Sequence, residues 1–552
     1  MFDLNMDLKD LIFEESKEGR NKLIGMGILT GLSTTAIIGV INLAAGNIQE
    51  TLVDFRYLTL FTIAIILFII SQRYIFRQTS QVFENIVYHF RSRIAKKIES
   101  TELRVLEMIG KSNIYNKMTQ RSSEISQMGA GVSASFQSAI MTFFIILYVA
   151  FISFPAFLLT VTIVSAGVYI YLQKQQRALE LINQSNQKEL EMFDSITDLI
   201  EGFKQLKMNK EKREEVGEDV REITKRVRDI KIETFDINSD NYIFAQVFFY
   251  ILVGAIVFML PVLVESYYEG ISSVATAILF VIGPLSTVVA GIPAYAMANI
   301  AVKEIYELER ELDQFNGFDY RSAKKPNFRI DHSLSPFKEI QFSDVNFEYG
   351  TLHGEPAFGV GPLSFQIHNN ELLFIVGGNG SGKSTVLKLL TGLYYPDSGT
   401  ISVDGTIIKR LSNAQSYRDL FSAIFSDFHL FKKLYALQDL NEETIQDLLE
   451  LMQLENKTYF KEDRFTSLDL STGQRKRLAL LIAMLEDKPI YIFDEWAADQ
   501  DPEFRHFFYD KILPDLQSAG KTIIAVTHDD AYFDVADRIL KLDMGKMTWL
   551  KN

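Results

Sequence analysis

Residues 377–385 place Gly377, Gly378, Asn379, Gly380, Ser381, Gly382, Lys383, Ser384 and Thr385 directly after the apolar run 372–376 and ahead of a helical pattern. Glycines at this spacing let the backbone curl until its N–H groups point at phosphate oxygens, and a helix N-terminus adds a positive field. Lys383 is then in reach of the β- and γ-phosphates of a nucleotide, and the Ser384 hydroxyl can hold Mg²⁺. A second apolar run, 490–493, ends in Asp494 and Glu495. An acid at the end of a strand beside a phosphate loop suits a Mg²⁺ ligand, here Asp494. The next one, Glu495, suits a general base for an attacking water. Between them, Leu470, Ser471, Thr472, Gly473 and Gln474 open the basic stretch Arg475, Lys476, Arg477. A Ser/Gly turn at the start of a basic helix is a further anion site.

The elements that must position these residues fall into two parts. The chain has 552 residues, too many for one ordinary core. Hydrophobic residues make up 47% and charged ones 23%, a balance that fits a membrane part joined to an α/β part. The net charge of −14 argues against nucleic acid as a partner, because phosphate backbones need a basic surface. The absence of cysteine removes disulfides and thiolate metal sites.

Six runs reach membrane length: 23–45, 57–76, 128–151, 154–173, 242–264 and 274–300. Segment 74–127 carries nine Lys/Arg and 174–241 more, while 46–56 holds only Arg56 and 152–153 and 265–273 hold none. Lys and Arg stay on the cytoplasmic side, so the long loops, the N-terminus and the C-terminal part are expected inside. The stretches around Asn113–Asn116 and Asn209–Glu218 are expected as tips of helices that continue past the bilayer. The first 22 residues lack the pattern of a cleavable signal and read as an amphipathic helix with Leu8, Leu11, Ile12 and Phe13 on one face. Asn42, Gln137 and Gln246 interrupt apolar spans, either to meet a cargo or to bond helices together. A linker is expected at Lys324, Lys325 and Pro326. It separates an α-helical six-span membrane domain, 1–330, from an α/β P-loop ATPase domain, 331–552, whose apolar strands read as buried and parallel.

The ordered set of phosphate loop, Ser/Gly helix start and paired acids resembles an ATP-binding cassette ATPase. With six spans in front, the chain resembles the exporter branch of that superfamily, a half-transporter with fused membrane and ATPase domains. The resemblance implies that Tyr349 stacks on adenine, that Asp501 is an inter-subunit aspartate and that His528 contacts the γ-phosphate. It also implies that Ser471, Gly473 and Gln474 close on ATP bound by a second subunit, so that a homodimer with two composite sites is needed. ATP and Mg²⁺ are the cofactors so implied. Two positions depart from the usual pattern: Ser426 stands where most cassettes have glutamine, and Thr472 where glycine is usual. Many exporters carry a charged Gly-rich segment before the Ser/Gly turn; here residues 461–465 are Lys-Glu-Asp-Arg-Phe. The segments 421–428 and 470–480 resemble the cyclic-peptide exporter subfamily, which includes systems for syringomycin-type lipopeptides and pyoverdine-type siderophore precursors. The expected activity is ATP-driven export of such a cargo across a bacterial inner membrane, with the ATPase domain cytoplasmic. The alternatives are a multidrug or lipid translocator, and an ATP-binding membrane regulator that does not transport.

Overall fold

A computed structural model describes residues 7–17, 19–46, 55–259, 261, 271–314, 337–349, 358–409, 414–437 and 441–552. The chain divides into two compact units, one of Met1–Thr101 with Val105–Gly317 and one of Glu102–Arg104 with Phe318–Asn552. The expected linker at Lys324–Pro326 and the 330/331 boundary lie outside the described residues.

The first unit is helical. A short helix, α1 (Leu8–Glu15), precedes α2 (Arg20–Gly46), α3 (Phe55–Ser100), α4 (Ser122–Ile152), α5 (Phe154–Glu201), α6 (Lys210–Gly254) and α7 (Ile271–Gln314). Helices α2 to α7 supply six stretches long and apolar enough to cross a membrane. They outrun the expected spans. The 48 residues of α5 cover ~70 Å at 1.5 Å per residue, more than twice a hydrocarbon core. The turn between α4 and α5 is as tight as the sequence implies. Ser153 is extended, its hydroxyl accepts the Ala156 N–H at 3.3 Å, and Pro155 sits in the first turn, where no N–H is required. Of the two expected tips, Ile114 packs on the unit's own apolar cluster while Tyr115 is exposed, and Asn209 caps α6 by accepting the Lys212 N–H.

Large apolar side chains such as Leu58, Ile66, Ile69, Phe143 and Tyr250 remain exposed along these helices, which suits a hydrocarbon solvent and not water. Some polar groups inside the spans bond to neighbouring helices. Asn42 donates to the Tyr148 hydroxyl and the Ser273 carbonyl, both at 3.2 Å, and Gln137 donates to Gln72. Of the two readings of these residues, helix-to-helix bonding is the one observed. Gln246 is exposed and donates to Tyr242 on its own helix. Where the helices leave the apolar zone, ion pairs take over: Arg121 meets Glu304 at 2.6 Å and Arg93 meets Glu309 at 2.9 Å.

The second unit has two main sheets. Strands β1 (Glu339–Glu348), β2 (Gly359–His368), β4 (Ser398–Val403) and β5 (Thr406–Ile407) form an antiparallel sheet in the order β2-β1-β4-β5. This corrects the expectation of parallel strands throughout. Residues 340–347 and 363–367 alternate between buried and less buried positions, with one break at 343–344 where the register shifts, the mark of a sheet with one covered face. Strands β3 (Leu372–Val376), β6 (Phe421–Ile424), β9 (Ile490–Asp494), β10 (Thr522–Val526), β11 (Arg538–Asp543) and β12 (Lys546–Lys551) form the second sheet, ordered β12-β11-β3-β10-β9-β6. It is parallel except at the β11/β12 edge. Strands β3, β9 and β10 are buried at every residue, as continuous apolar runs require. The Lys461–Phe465 segment forms a small hairpin, β7 (Phe460–Lys461) with β8 (Arg464–Phe465).

Helices α4 and α7 approach most closely at small residues. A Cβ on Gly291 would lie 1.5 Å from Ser135 Oγ, and one on Gly131 would lie 3.3 Å from Ala294 Cβ. Gly291→Leu should therefore destabilise the helical unit by about 1–3 kcal/mol, the scale of overpacking. Gly25→Leu, with nothing within 4 Å of its Cβ, should stay near wild type. Thermal unfolding in detergent compares the two directly.

Candidate nucleotide site

Strand β3 is paired in parallel with β10, and β10 with β9, so that Val526 lies opposite both Ile375 and Asp494. The three strand ends are therefore level. The loop from Gly377, the Asp494–Glu495 pair and the Thr527–His528 pair thus emerge together at one rim of the sheet. Ligands of open α/β sheets bind at this carboxyl rim.

The loop closes onto α8 (Lys383–Leu390) through Gly382, whose φ of +102° and a Cβ position 2.5 Å from Val360 leave room for glycine alone. Gly378, Asn379 and Gly380 are exposed at the turn. Ser381 is buried and its hydroxyl lacks a partner among the described residues, an unsatisfied group beside a prospective phosphate. Lys383 is buried, donates to the Gly377 and Gly378 carbonyls at 3.0 and 3.1 Å, and has Glu495 Oε1 at 3.6 Å. Glu495 Oε1 is also 3.3 Å from His528 Nε2. Glu495 itself takes a left-handed backbone, φ +51°, which turns the chain at the strand end.

Asp494 is buried beneath the loop. Ser384 Oγ donates to its Oδ2 at 3.4 Å and the Ser426 N–H at 3.3 Å. Burial pushes its carboxyl above the usual range, and the Ser426 backbone N–H partly opposes this. A buried carboxylate and a hydroxyl, both oxygen donors on one side of the loop, fit a hard divalent cation such as Mg²⁺. Such an ion takes only one or two protein ligands and completes its shell with phosphate and water. Among the described residues no set of three or more His, Cys, Asp and Glu could hold a metal by itself.

Tyr349 is half-buried. Its ring meets Phe347 and Tyr394 edge-on, and its hydroxyl is 3.1 Å from Thr385 Oγ1 on α8. The ring is thus tied to the first turn of the phosphate-loop helix. Lys383, Ser384, Asp494, Glu495 and His528 come together as a cluster, with Tyr349 and Thr385 on the flank.

Ser471, Gly473 and Gln474 belong to a different place, the start of α9 (Thr472–Glu486). Ser471 and Gln474 form a reciprocal capping box: the Gln474 N–H donates to Ser471 Oγ and the Ser471 N–H to Gln474 Oε1. Gly473 is required because a Cβ there would lie 2.7 Å from the Asp499 carbonyl. Thr472 is exposed and meets no such limit, so its departure from glycine leaves the turn intact. Asp501 caps α10 (Pro502–Phe507) by accepting the Phe504 N–H at 2.9 Å and pairs with Arg477. That N–H first, and the Arg477 guanidinium second among the favourable contacts, hold its carboxyl below the usual range.

Four residues at this junction have partners that sequence reasoning does not assign: Lys476 and Arg477, read there only as part of a basic stretch, and Trp496 and Gln500. Lys476 is buried, donates to the Glu495 carbonyl at 2.6 Å and pairs with Asp499 at 2.7 Å. Its own carbonyl accepts the Trp496 indole N–H at 2.9 Å. Arg477 Nε donates to Gln500 Oε1 at 2.9 Å, and Gln500 Nε2 donates to the Gly473 carbonyl at 3.2 Å. The first turns of α9 are thereby stitched to the 495–501 turn that carries Glu495. The signal in sequence is three consecutive cations, Arg475 to Arg477, in a helix whose next residues, Leu478 to Ile482, are apolar.

A family model described as ABC transporter matches residues 360–498. The chain is 34% identical over 538 residues to the ATP-binding protein SyrD of Pseudomonas syringae pv. syringae, covering 94% of this chain and 92% of SyrD. It is 30% identical over 220 residues to the glutamine transport ATP-binding protein GlnQ of Bacillus subtilis (strain 168), covering 38% of this chain and 88% of GlnQ. Its fold is similar to a solved bacterial Atm1-family ABC exporter with ATP bound. That likeness has a TM-score of 0.76 over 97% of this chain and 94% of the other, at 17% identity.

Replacing Lys476 tests the stitch. Lys476→Met should leave ATP affinity within about threefold. It should lower the ATPase kcat by roughly 10- to 100-fold, the scale of loss when a group at a reacting centre is displaced by about 1 Å. Lys476→Arg should recover part of the rate. Equal losses in affinity and kcat would mean that the lysine only supports the fold.

Proposed function

Because this chain belongs to the ATP-binding cassette transporter family, as an exporter-type half-transporter, we propose that it exports a peptide-like cargo as a homodimer. Its ATPase is coupled to transport. The cargo in this reading is a cyclic peptide, lipopeptide or peptide siderophore precursor. The membrane is the bacterial inner membrane, and the ATPase domain, residues 331–552, lies on its cytoplasmic side. The extent of the SyrD match carries the reading. It runs through the membrane helices as well as the ATPase part, whereas the GlnQ match is confined to 38% of the chain. The segments 421–428 and 470–480 support the cargo class.

Each residue then has a role. The loop from Gly377 to Ser384 wraps the phosphates, Lys383 neutralises them, and Tyr349 takes the adenine. Ser384 and Asp494 hold Mg²⁺, which when bound screens the phosphate charge. Glu495, hydrogen-bonded to His528, accepts the proton of the attacking water, and His528 orients the γ-phosphate. A further contact for that phosphate comes from outside the cassette. Ser471 and Gly473, exposed or half-exposed at the α9 start, supply it from the other protomer. In this reading the stitch from α9 to the 495–501 turn links the docking surface of one protomer to that protomer's own Glu495. Asp501 lies on the same turn.

Glu495→Gln should keep ATP binding and lower turnover by about 10²–10³-fold, the range of a lost general base. ATPase rates in lipid nanodiscs, with cyclic peptides, lipopeptides, siderophores and unrelated drugs added in turn, test the cargo. Stimulation confined to the peptides is expected. A response to drugs or lipids alone would reassign the cargo, and ATP binding with no hydrolysis under any addition would remove transport.

A further inference from the structure

The helical unit contains a cleft of about 510 Å³ that none of the roles above uses. Its walls come from α1, α2, α3, α4 and α7, with Phe13, Ile24, Phe83, Phe136, Ile140 and Val288 among them. Most of its uncharged polar side chains are already committed to the protein. Ser133 donates to the Gly129 carbonyl, Ser135 to the Gly131 and Thr287 carbonyls, Thr79 to the Ile75 carbonyl, and Gln137 to Gln72. A peptide backbone inside would find few free partners for its amides, whereas a hydrocarbon chain needs none.

One part of the lining is charged. Lys9 and Arg20 belong to it and are exposed. The acids of α1 are otherwise engaged. Asp7 pairs with Lys303, Asp10 accepts the Asp7 N–H, Glu14 pairs with Lys17 and Glu15 lies beside His89. Among the described residues Lys9 and Arg20 have no counter-charge. Along α2, seven residues separate Arg20 from Gly27, which also lines the cleft, a rise of ~10 Å. Two cations that make no ion pair among the described residues, on the lining of an otherwise hydrocarbon-walled trough, match the charge and polarity of one molecule class.

The geometry points to a site for an acidic phospholipid, its phosphate at Lys9 and Arg20 and one acyl chain in the trough toward Gly27 and Ile140. The charge distribution of the loops puts Arg20 at the cytoplasmic end of α2, the leaflet side on which basic residues meet acidic headgroups. Helix α1 supports the same placement. Leu8 and Leu11 are buried against the unit while Phe13 is 58% exposed, as in a helix lying at the membrane interface. The site holds whatever the cargo proves to be.

The test uses the full chain in nanodiscs of phosphatidylcholine with a minority of phosphatidylglycerol. Either lipid carries a photoactivatable acyl chain, and labelled peptides are mapped by mass spectrometry. Phosphatidylglycerol should label the peptides around Phe13, Gly27 and Ile140 roughly fivefold or more above phosphatidylcholine, the scale set by one basic residue facing an acidic leaflet. Lys9→Gln with Arg20→Gln, both exposed, should bring that ratio near one. Ile140→Trp should reduce labelling by both lipids. Equal labelling in the wild type, or a ratio unchanged in the double variant, would overturn the site. Displacement of the label by a lipopeptide but not by excess phosphatidylglycerol would also overturn it and assign the cleft to cargo.

Discussion

The parallel register of β9, β10 and β3 is the constraint on which the nucleotide site depends. All three strands are buried at every residue, so a slip of one position would send each side chain to the opposite packed face, where its neighbours are shaped for another. The register in turn fixes the heights at which the chain leaves the sheet. Because Val526 is level with Ile375 and Asp494, a loop that begins at Gly377, an acid at 495 and a histidine at 528 converge without long connections. The contacts of Glu495 with Lys383 and His528 arise from this levelling and not from any local motif.

A second constraint acts across the same unit. Glu495 sits in a left-handed conformation, and a turn of that kind persists only if its surroundings hold it. Lys476 and Trp496 supply the hold from both directions, side chain to backbone and backbone to side chain. Burying the ammonium of Lys476 would be costly alone. Asp499 and the Glu495 carbonyl offset that cost, and the result is a polar brace inside an apolar layer. The brace also explains which glycine matters at the start of α9. The Asp499 carbonyl lies against residue 473, so glycine is needed there, while 472 faces outward and accepts threonine.

Legibility in the sequence tracks how local the chemistry is. The phosphate loop reads plainly because its residues are consecutive, and the six spans read because hydrocarbon imposes length and composition. Lys476 and Arg477 do not stand out, since a cation in a helix is ordinarily solvated and their partners Glu495 and Gln500 lie about twenty residues on. Asn42 and Gln137 are undecidable from sequence for the same reason. Their partners Tyr148 and Gln72 are 106 and 65 residues away, and only the packing of α2 against α4, and of α4 against α3, brings them together. The antiparallel first sheet departs from the parallel expectation because its apolar residues do not form continuous runs. Their alternation marks a single covered face.

Ser426 shows how a departure from a family pattern can leave part of a role in place. A glutamine there would reach the cation or the phosphate with its side chain, and serine is too short to do so directly. The structure has the backbone N–H of Ser426 on Asp494 Oδ2, beside the Ser384 hydroxyl. A backbone donor is indifferent to the side chain, so the link between the loop after β6 and the buried acid survives the substitution. What serine gives up is reach beyond Asp494. The Ser426 hydroxyl adds to this link, so backbone and side chain of residue 426 both bear on the Asp494 carboxylate. Because burial already raises the proton affinity of that carboxylate, loss of the Ser426 N–H would raise it further.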